Sequence, residues 1–385
     1  MGRLNNEEGK SVPNNDPVPE NVIGMSLEEL QQKLLQMGEP GYRARQIMHW
    51  LYKKRALSFG EMTDLPQALR RRLEEEMAVR LPEIRKVALS QDGTRKYLLA
   101  LDGDPEQSSE HTIEAVAIPE GKRLTVCLSS QVGCAIGCPF CATGQEGFLR
   151  HLLTAEIVGQ MLVIQQEFAE PITNVVMMGM GEPLANYRNV MKALRLMNHA
   201  DGMALGARRL TISTAGLAPG IRQLAGEDLQ LNLAVSLHAP NDELRNRLVP
   251  VNRRYPLKQL LAACREYIEK TRRRITFQYI LLRGVNDSVK YAHQLGQLLS
   301  DLLCHVNLIP VNPTGQNGGY LRPAEEDTGT FARILLQYGV KTTIRRERGT
   351  DIRAACGQLK QGSKESSGPS YCRISTFQAS EGMDD

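Results

Sequence analysis

The chain has 385 residues, enough for one large domain with an appendage or for two domains. Its 47 Lys and Arg against 43 Asp and Glu leave a formal charge of +4, which permits a nucleic-acid partner without requiring one. There is no apolar secretion signal, and no run approaches the roughly 20 apolar residues of a membrane span, so we expect a cytoplasmic protein without membrane contact. In a reducing compartment the eight cysteines are more often metal ligands, catalytic thiols or core residues than disulfides.

The N-terminal third of the chain predicts a tail, a helical module and a few strands. Residues 1–25 are polar and rich in Asn, Pro and Glu, which is typical of a disordered tail. Residues 26–92 hold three amphipathic patterns, SLEELQQKLLQMG, YRARQIMHWLYKK and PQALRRRLEEEM, and predict a helical accessory domain. The alternating runs KVALS, KYLLALDG and HTIEAVAIP predict antiparallel strands, and we place a β-extension that links the two parts of the chain at 93–122.

From residue 123 to residue 350, apolar runs rich in β-branched residues alternate with amphipathic helical patterns. The predicted strands are RLTVCLSS, TNVVMMG, RLTISTAG, LNLAVSLHA, ITFQYILLRG, HVNLIPVNP and KTTIRRERG. Repeated βα units predict an α/β fold with a parallel sheet, either doubly wound or closed into a full or partial barrel. In each case the candidate site lies at the C-terminal ends of the strands. A short segment at 351–360 precedes a tail, 361–385, that is low in apolar residues and predicted to be disordered.

The stretch CAIGCPFC places Cys134, Cys138 and Cys141 in the loop after the first of these strands. Soft thiolates at this spacing favour zinc or an iron–sulfur cluster. A structural zinc site would normally add a second CxxC or a His pair at matching spacing, and the sequence has neither. The loop therefore favours a four-iron cluster with one iron left open to a ligand that is not protein. Zinc and incidental packing are the alternatives.

The CxxxCxxC pattern, with Phe140 before its third cysteine, resembles the radical S-adenosylmethionine (SAM) superfamily. Five collinear segments narrow the resemblance to the RlmN/Cfr family of rRNA adenosine methyltransferases: SSQVGCAIGCPFCATGQEGF, NVVMMGMGEPLANY, SLHAPNDELRNRLVPVN, NLIPVNP and RGTDIRAACGQL. The similarity runs from about Ser26 to Leu359. It implies a partial (β/α)6-type radical SAM barrel, with a [4Fe-4S] cluster on the three loop cysteines. It also implies two SAM molecules per turnover, one as methyl donor and one as the source of a 5′-deoxyadenosyl radical.

The resemblance assigns SAM contacts to residues that follow the strands. Gly181 and Glu182 in GMGEPL are expected to contact the amino group of SAM, where a carboxylate would face an ammonium. If the resemblance is set aside, this stretch is interpreted as a Gly-Pro turn with a solvent-exposed Glu. Further contacts are expected, by resemblance, from Ser213, Ser236, Leu237, His238 and Asn312. A polar residue at a strand end is otherwise more often satisfied by local hydrogen bonds.

The resemblance also assigns the catalytic residues. Cys356 would accept a methyl group to become S-methylcysteine and would then join the base covalently; Arg353 or the SAM sulfonium could give it thiolate character. Cys127, which alone reads as a buried small hydrophobe, would form a transient disulfide with Cys356 and release the methylated base. Glu114 would be the proton acceptor, although an isolated Glu in an alternating strand would otherwise face solvent.

The remaining cysteines and the arginine-rich patches carry weaker signals. Cys264, Cys304 and Cys372 are interpreted as structural or incidental. Residues 70–72, 272–274 and 345–349 concentrate arginine, and although such runs are usually solvated, some are expected to neutralise RNA phosphates. The accessory domain, with MHWLYKKR, resembles the family's accessory domain and is a candidate RNA platform.

The resemblance implies 23S rRNA and tRNA as partners, an electron donor such as flavodoxin or ferredoxin, and a monomer. The leading prediction is methylation of adenosine C2 at the peptidyl-transferase centre, and of the adenosine 3′ to the tRNA anticodon, because that type is the commoner housekeeping enzyme. C8 methylation, which confers antibiotic resistance, is the alternative within the family. Outside it, a zinc- and RNA-binding protein would not use Cys356, and a radical SAM activase of a protein glycyl site would need neither Cys127 nor Cys356.

Overall fold

The computed structural model describes residues 19–101, 111–312 and 319–360. Most of the predicted N-terminal tail, the whole predicted C-terminal tail and Cys372 lie outside the described residues.

A small helical region opens the described chain, and its three predicted helices are present. The first helix begins at a capping box, in which the Ser26 hydroxyl accepts from Glu29 N at 3.2 Å and the Glu29 carboxylate accepts from Ser26 N at 2.8 Å. The second helix continues into one π-helical turn, Trp50–Lys54, and a 3-10 turn follows at Phe59–Glu61. The elements are β1 (Glu20–Asn21), α1 (Leu27–Gln36), α2 (Arg43–His49), α3 (Gln67–Glu76) and β2 (Met77–Ala78), with β1 parallel to β2.

Three antiparallel strands follow: β3 (Glu83–Leu89), β4 (Arg95–Ala100) and β5 (Thr112–Glu120). They match the predicted alternating runs and extend one edge of the main sheet. β3 lies inside the range that the sequence assigned to the accessory domain, yet it pairs in the main sheet. The helical part of the chain therefore ends by Ala78.

In the part of the chain that the structure describes, seven parallel strands with helices between them form the body of the protein. In chain order the elements are β6 (Arg123–Cys127), β7 (Gln131–Gly133), α4 (Ala142–Gln145), β8 (Phe148–His151), α5 (Thr154–Gln166), β9 (Asn174–Met177), α6 (Tyr187–Asn198), β10 (Leu210–Thr214), α7 (Ala218–Leu224), β11 (Asn232–Ser236), α8 (Asp242–Leu248), α9 (Leu257–Thr271), β12 (Ile275–Leu281), α10 (Val289–Leu299), β13 (Cys304–Pro310), α11 (Glu325–Gln337) and β14 (Thr342–Ile344). β7 and β8 form a separate hairpin around the cysteine loop. Short 3-10 turns lie at Ala207–Arg209 and Pro250–Arg253.

The strand order decides between the architectures that the sequence left open. The parallel strands lie side by side in chain order, from β6 through β9 to β14. A doubly wound sheet reverses its order at a switch point, and the strands of the described ranges show no reversal. Sequential order with helices outside is the arrangement of a barrel. In the described part of the chain β14 pairs with β13 alone, so the barrel is open and the predicted partial barrel is confirmed.

Alternate residues of each parallel strand face opposite sides of the sheet. Those on the outer side pack against the helices and are fully buried, for example Val126, Val175, Ile212, Phe277 and Leu308. Those on the inner side line a lumen and include Thr125, Thr211, Thr276 and Asn307. The apolar core therefore lies between sheet and helices, and the concave side mixes polar with apolar side chains.

The segment after β14 crosses the open side of the barrel to the β-extension. Arg348 pairs with Glu120 at the end of β5 at 3.3 Å. Gly349 N then donates to Asp92 Oδ2 at 3.0 Å, and the Ser90 hydroxyl donates to Asp351 Oδ1 at 2.6 Å. These contacts fix the segment that carries Cys356.

Candidate active site

Two adjoining cavities occupy the concave side of the sheet. The larger, of about 870 Å³, fills the lumen. The smaller, of about 170 Å³, lies at the C-terminal ends of the strands beside the cysteine loop. Met178, Gln278, Ile309, Arg345 and Cys356 line both cavities, so the two are contiguous and Cys356 stands at their junction.

The β7–β8 hairpin shapes the loop that carries the three cysteines. Gly133 has φ +74°, and a Cβ there would lie 2.0 Å from Gly147 O, so only glycine lets the two strands approach this closely. Cys134 N donates to Gly147 O at 2.6 Å, and Cys141 N donates to Cys138 O at 3.1 Å. As a result Cys134, Cys138 and Cys141 all line the smaller cavity.

The three thiols fit a cluster better than a single ion. In the described ranges, no group of three or more His, Cys, Asp or Glu side chains converges closely enough to hold one metal ion. Thiols that line one cavity without meeting at one point suit the corners of an iron–sulfur cluster. Burial raises the pKa of all three, that of Cys134 to about 12, and the nearby thiols raise each pKa further. A bound cationic iron–sulfur core would favour the thiolate forms.

Glu182 is a buried carboxylate that faces the smaller cavity, not a solvated turn residue. Its Oε2 accepts from Ala215 N at 2.6 Å and its Oε1 accepts from Leu184 N at 3.0 Å. Burial raises its pKa to about 7. Gly181 before it has φ +100°, and a Cβ there would lie 2.6 Å from the Gln131 side chain. A desolvated carboxylate held by two N–H groups is suited to bind an ammonium group.

Ser213, Ser236 and His238 also line the smaller cavity. His238 has φ +59°, and its Nδ1 accepts from Ile280 N at 3.0 Å. Because a backbone N–H can only donate, the proton of the neutral ring must be on Nε2. Burial, with Arg245 nearby, lowers the pKa of His238 to about 3, and the ring packs edge-on against Phe140 at 5.0 Å.

Two predicted SAM contacts lie elsewhere. Leu237 is fully buried in the apolar core and lines neither cavity. Asn312 is buried and lines the larger cavity, not the one beside the cysteine loop. When its side-chain amide is turned to donate, its nitrogen lies 2.9 Å from the Glu347 carboxylate. Their contacts with SAM stay predictions.

Arg245 is a buried residue that holds the strand ends beside the smaller cavity in place, and the sequence did not indicate this role. Its guanidinium donates to the carbonyl oxygens of Ala215, Ser236 and Leu237 at 2.6 to 3.0 Å, and to Asn252 Oδ1 at 2.7 Å. It thereby ties together the loops that follow β10 and β11. Burial lowers its pKa to about 10, well above neutrality, so the side chain stays charged.

The Cys356 segment docks directly beside the cysteine loop. Ala142 N donates to Gly357 O at 2.8 Å, and the Thr143 hydroxyl donates to Leu359 O at 2.6 Å. Both donors directly follow Cys141. The site therefore holds Cys356 next to the candidate cluster, although the two lie far apart in the chain.

Cys127 and Arg345 lie on the other side of Cys356. Cys127 points into the lumen from β6, and burial together with the Cys356 sulfur raises its pKa to about 12. The Cys356 sulfur also raises the pKa of the Arg345 guanidinium. Arg345, and not Arg353, is thus the cation beside Cys356, because Arg353 is exposed and lines neither cavity. Both cysteines are free thiols, so the expected disulfide is not formed in this state.

Glu114 is buried, contrary to the solvent-facing alternative. Its Oε1 lies 2.8 Å from Lys96 Nζ, and both side chains are only 5% exposed. Its Oε2 accepts from Lys360 N at 2.9 Å, which ties it to the Cys356 segment. Burial raises the pKa of Glu114 while Lys96 opposes that rise. Glu114 lines neither cavity, so its role as proton acceptor stays a prediction.

The other described cysteines behave as expected. Cys264 and Cys304 are buried in the apolar core, away from both cavities. Across the described helices, none has the length and apolar character needed to cross a membrane.

Comparison with known proteins agrees with this geometry. The family model described as "Radical SAM superfamily" matches residues 128–295, and that described as "Ribosomal RNA large subunit methyltransferase N-terminal domain" matches residues 20–79. The chain is 47% identical over 349 residues to the dual-specificity RNA methyltransferase RlmN of Alcanivorax borkumensis, covering 88% of this chain and 90% of the relative. It is 49% identical over 354 residues to a probable RlmN of Synechocystis, covering 91% and 97%. The crystal structure of a radical SAM methyltransferase from Sphaerobacter thermophilus matches with a TM-score of 0.83 at 46% identity, covering 89% of this chain and 99% of that one.

Proposed function

The chain belongs to the RlmN family of radical SAM RNA methyltransferases, and we propose on this premise that it methylates C2 of an adenosine in the peptidyl-transferase centre of 23S rRNA and C2 of the adenosine 3′ to the anticodon in tRNA. The relatives named above are dual-specificity enzymes, which favours C2 over the C8 alternative. A zinc-binding protein without activity and a glycyl-radical activase both disagree with the family assignment.

One observation carries the proposal: Cys356 stands where the two cavities meet. The smaller cavity has three thiols and a buried carboxylate, which suit a cluster and the amino group of SAM. The larger cavity is lined by polar and apolar side chains and has room for a nucleoside. A thiol at their junction can face SAM on one side and RNA on the other, as a methyl carrier must.

The residues that would hold the cofactors are those of the smaller cavity. Cys134, Cys138 and Cys141 would bind the [4Fe-4S] cluster, and Glu182 would bind the SAM amino group. When bound, the cluster and SAM supply a methyl group and a 5′-deoxyadenosyl radical. Gly181, Ser213, Ser236 and His238 would complete the SAM contacts from the same cavity. Contacts from Leu237, in the apolar core, and from Asn312, on the larger cavity, are part of the proposal from the family resemblance alone.

Cys356 would accept the methyl group and become S-methylcysteine, with the Arg345 charge beside its sulfur. One hydrogen of this methyl group would pass to the 5′-deoxyadenosyl radical, and the methyl carbon would bond to C2 of the adenine. C2 would in turn lose its hydrogen as a proton and give one electron back to the cluster, which leaves a covalent RNA–protein intermediate. Glu114 would take up the proton lost from the ring, for which its raised pKa is suited. Cys127 would attack the Cys356 sulfur, form a transient disulfide and release the base; its location in the same lumen supports this order.

We propose the remaining partners from the chemistry. Radical formation needs an electron, supplied by a donor such as flavodoxin or ferredoxin. We expect a monomer that acts in the cytoplasm. Residues 26–78 would form the accessory RNA platform, the strands between 83 and 122 the β-extension, 123–350 the barrel and 351–360 the catalytic cysteine segment.

The proposal is tested by purifying the protein without oxygen, measuring iron and sulfide, and supplying SAM, a reductant and rRNA that lacks the modification. Nucleoside mass spectrometry should find 2-methyladenosine. Cys356→Ala should abolish the product, whereas Cys264→Ala should retain it because Cys264 lies in the core away from both cavities. Zinc without iron, or 8-methyladenosine as product, would overturn the proposal.

A further inference from the structure

We propose that the RNA enters the barrel through the N-terminal opening of its lumen, where arginines bind the phosphates that flank one extruded nucleotide and Gln278 reads the adenine. We name these arginines the basic mouth: Arg123, Arg272, Arg273, Arg274 and Arg348. The inference rests on the proposed function, since it locates the RNA substrate of that same site.

Positive charge marks the N-terminal edge of the parallel sheet. A basic residue begins or directly precedes four of the parallel strands, β6, β10, β12 and β14: Arg123, Arg209, Arg274 and Lys341. Arg348 lies at the same edge, because it pairs with Glu120, whose register partner across β5 and β6 is Arg123. The thiols and Glu182 lie at the opposite, C-terminal edge. The lumen therefore has a cationic end and a catalytic end.

The basic mouth carries charge that the protein itself does not neutralise. Seven arginines and two glutamates line the larger cavity. Both glutamates are engaged, Glu120 with Arg348 and Glu347 with Arg322. Within the described ranges no ion pair joins Arg272 or Arg274 to a carboxylate. Like charges gathered around one opening repel one another, and bound phosphates would relieve that repulsion.

The third arginine-rich patch of the sequence behaves differently. Arg70 donates to Gly60 O at 2.6 Å, and Arg72 pairs with Glu76 at 2.9 Å within the same helix. Their side chains therefore stabilise the accessory helices. This contrast singles out the two patches that converge on the lumen.

An unpartnered amide lies at the inner end of the lumen. Gln278 is 6% exposed and lines both cavities, yet its Oε1 is buried without a hydrogen-bond partner. A buried acceptor without a hydrogen bond costs about 1–3 kcal/mol in general. We therefore infer that a bound ligand donates a hydrogen bond to Gln278 Oε1. The exocyclic N6 amine of adenine is such a donor, and glutamine is a common partner of adenine N6 and N7.

The depth of the lumen requires the target nucleotide to be extruded from its stack. β6 runs from Arg123 at the mouth to Cys127, four residue steps or about 13 Å at the usual rise of a strand. A base inside a helical stack cannot reach that far into the protein while its backbone stays at the mouth. A nucleotide in a single-stranded loop can be turned out of the stack and inserted.

The test compares two doubly substituted full-length enzymes that lose the same charge. Arg272→Gln with Arg274→Gln removes two cations of the basic mouth. Arg188→Gln with Arg333→Gln removes two exposed cations from the outer helices α6 and α11. Binding of a short RNA stem-loop with an adenosine in its loop is measured over a range of salt concentrations. Methylation of Cys356 from SAM without RNA, read from the protein mass, reports an intact fold and SAM site.

The basic-mouth variant should bind the stem-loop at least about tenfold more weakly, and the slope of log K against log salt should fall by about 1.4 for two lost single-strand contacts. Cys356 methylation should be unchanged, and the control pair should bind like the unsubstituted protein. Equal binding and slope in the two double variants would overturn the basic mouth. Failure of the unsubstituted enzyme to methylate any RNA would refute the proposed function instead.

Adenine reading is tested with a stem-loop that carries purine, which lacks the N6 amine, in place of the adenosine. The unsubstituted enzyme should methylate the adenosine loop at least about tenfold faster, because the purine would leave Gln278 unpaired. Gln278→Ala should remove that preference. A preference that survives the substitution would overturn the role of Gln278.

Discussion

Lys96→Met is the most informative single change, because it removes the partner of the buried Glu114 carboxylate. The pair is 2.8 Å apart and 5% exposed on each side, so water cannot replace the lost ammonium. Breaking such a pair typically costs about 3–5 kcal/mol. Glu114 keeps its hydrogen bond from Lys360 N at 2.9 Å. We therefore expect the free energy of unfolding to fall by about 3 kcal/mol, the lower end of that range. Lys96→Met with Glu114→Gln removes both charges and should recover most of the loss.

The loss should depend on pH in a defined direction. Burial already raises the pKa of Glu114 above its unfolded-state value, and removing Lys96 raises it further. A carboxyl group with a raised pKa favours the folded state at low pH and loses this contribution as pH rises through its folded pKa. The penalty of Lys96→Met should therefore grow as pH rises through the folded-state pKa of Glu114 and shrink as pH falls toward the ordinary value for a carboxyl group.

The assay is a double-mutant cycle by chemical denaturation at several pH values, together with RNA methylation rates. Glu114→Gln should slow RNA methylation by about 10²- to 10⁴-fold, as expected for loss of a general base, while Cys356 methylation from SAM continues. Lys96→Met should move the pH profile of RNA methylation to higher pH. Zero coupling energy, or an unchanged pH profile, would refute this account of the pair.

Two further predictions concern the rim of the smaller cavity. Arg245→Lys cannot satisfy all the acceptors of the guanidinium, so carbonyls such as those of Ala215 and Ser236 are left unpaired. The free energy of unfolding, measured by denaturation, should fall by about 3 kcal/mol. In the kinetics of Cys356 methylation, KM for SAM should rise more than kcat falls. Burial raises the pKa of Glu182 to about 7, so without SAM this residue stabilises the folded state most at acid pH. The free energy of unfolding should fall by up to about 3 kcal/mol as the pH rises through 7. Glu182→Gln should remove this pH dependence, and equal dependence in both proteins would contradict the assignment.

The sequence was most informative where chemistry is local. Cys134, Cys138 and Cys141 occupy one loop, so their spacing alone suggested that they share one inorganic group. The strands of the barrel were likewise readable, because their outer side is buried against the helices and each run is rich in β-branched residues. The β7–β8 hairpin was missed, since three- and four-residue strands give almost no alternation to read.

Contacts between distant segments could not be read in the same way. Glu182 is held by Ala215 N from the next strand, and a backbone donor leaves no signature in the sequence. Lys96 and Glu114 lie on one face of the β4–β5 pair at diagonal positions, which follows only once the register is known. Arg345 was visible as part of RRERG, but only the path of the chain after β14 places it beside Cys356 instead of Arg353.

The central claim is that Cys356 carries the methyl carbon to the base and Cys127 releases it. The most direct measurement is mass mapping of the Cys127→Ala protein after reaction with SAM, a reductant and substrate RNA. We predict a peptide containing Cys356 linked through one carbon to C2 of an adenosine, with no such adduct in Cys356→Ala. Adduct of equal amount in both variants, or a crosslink at another residue, would contradict the account.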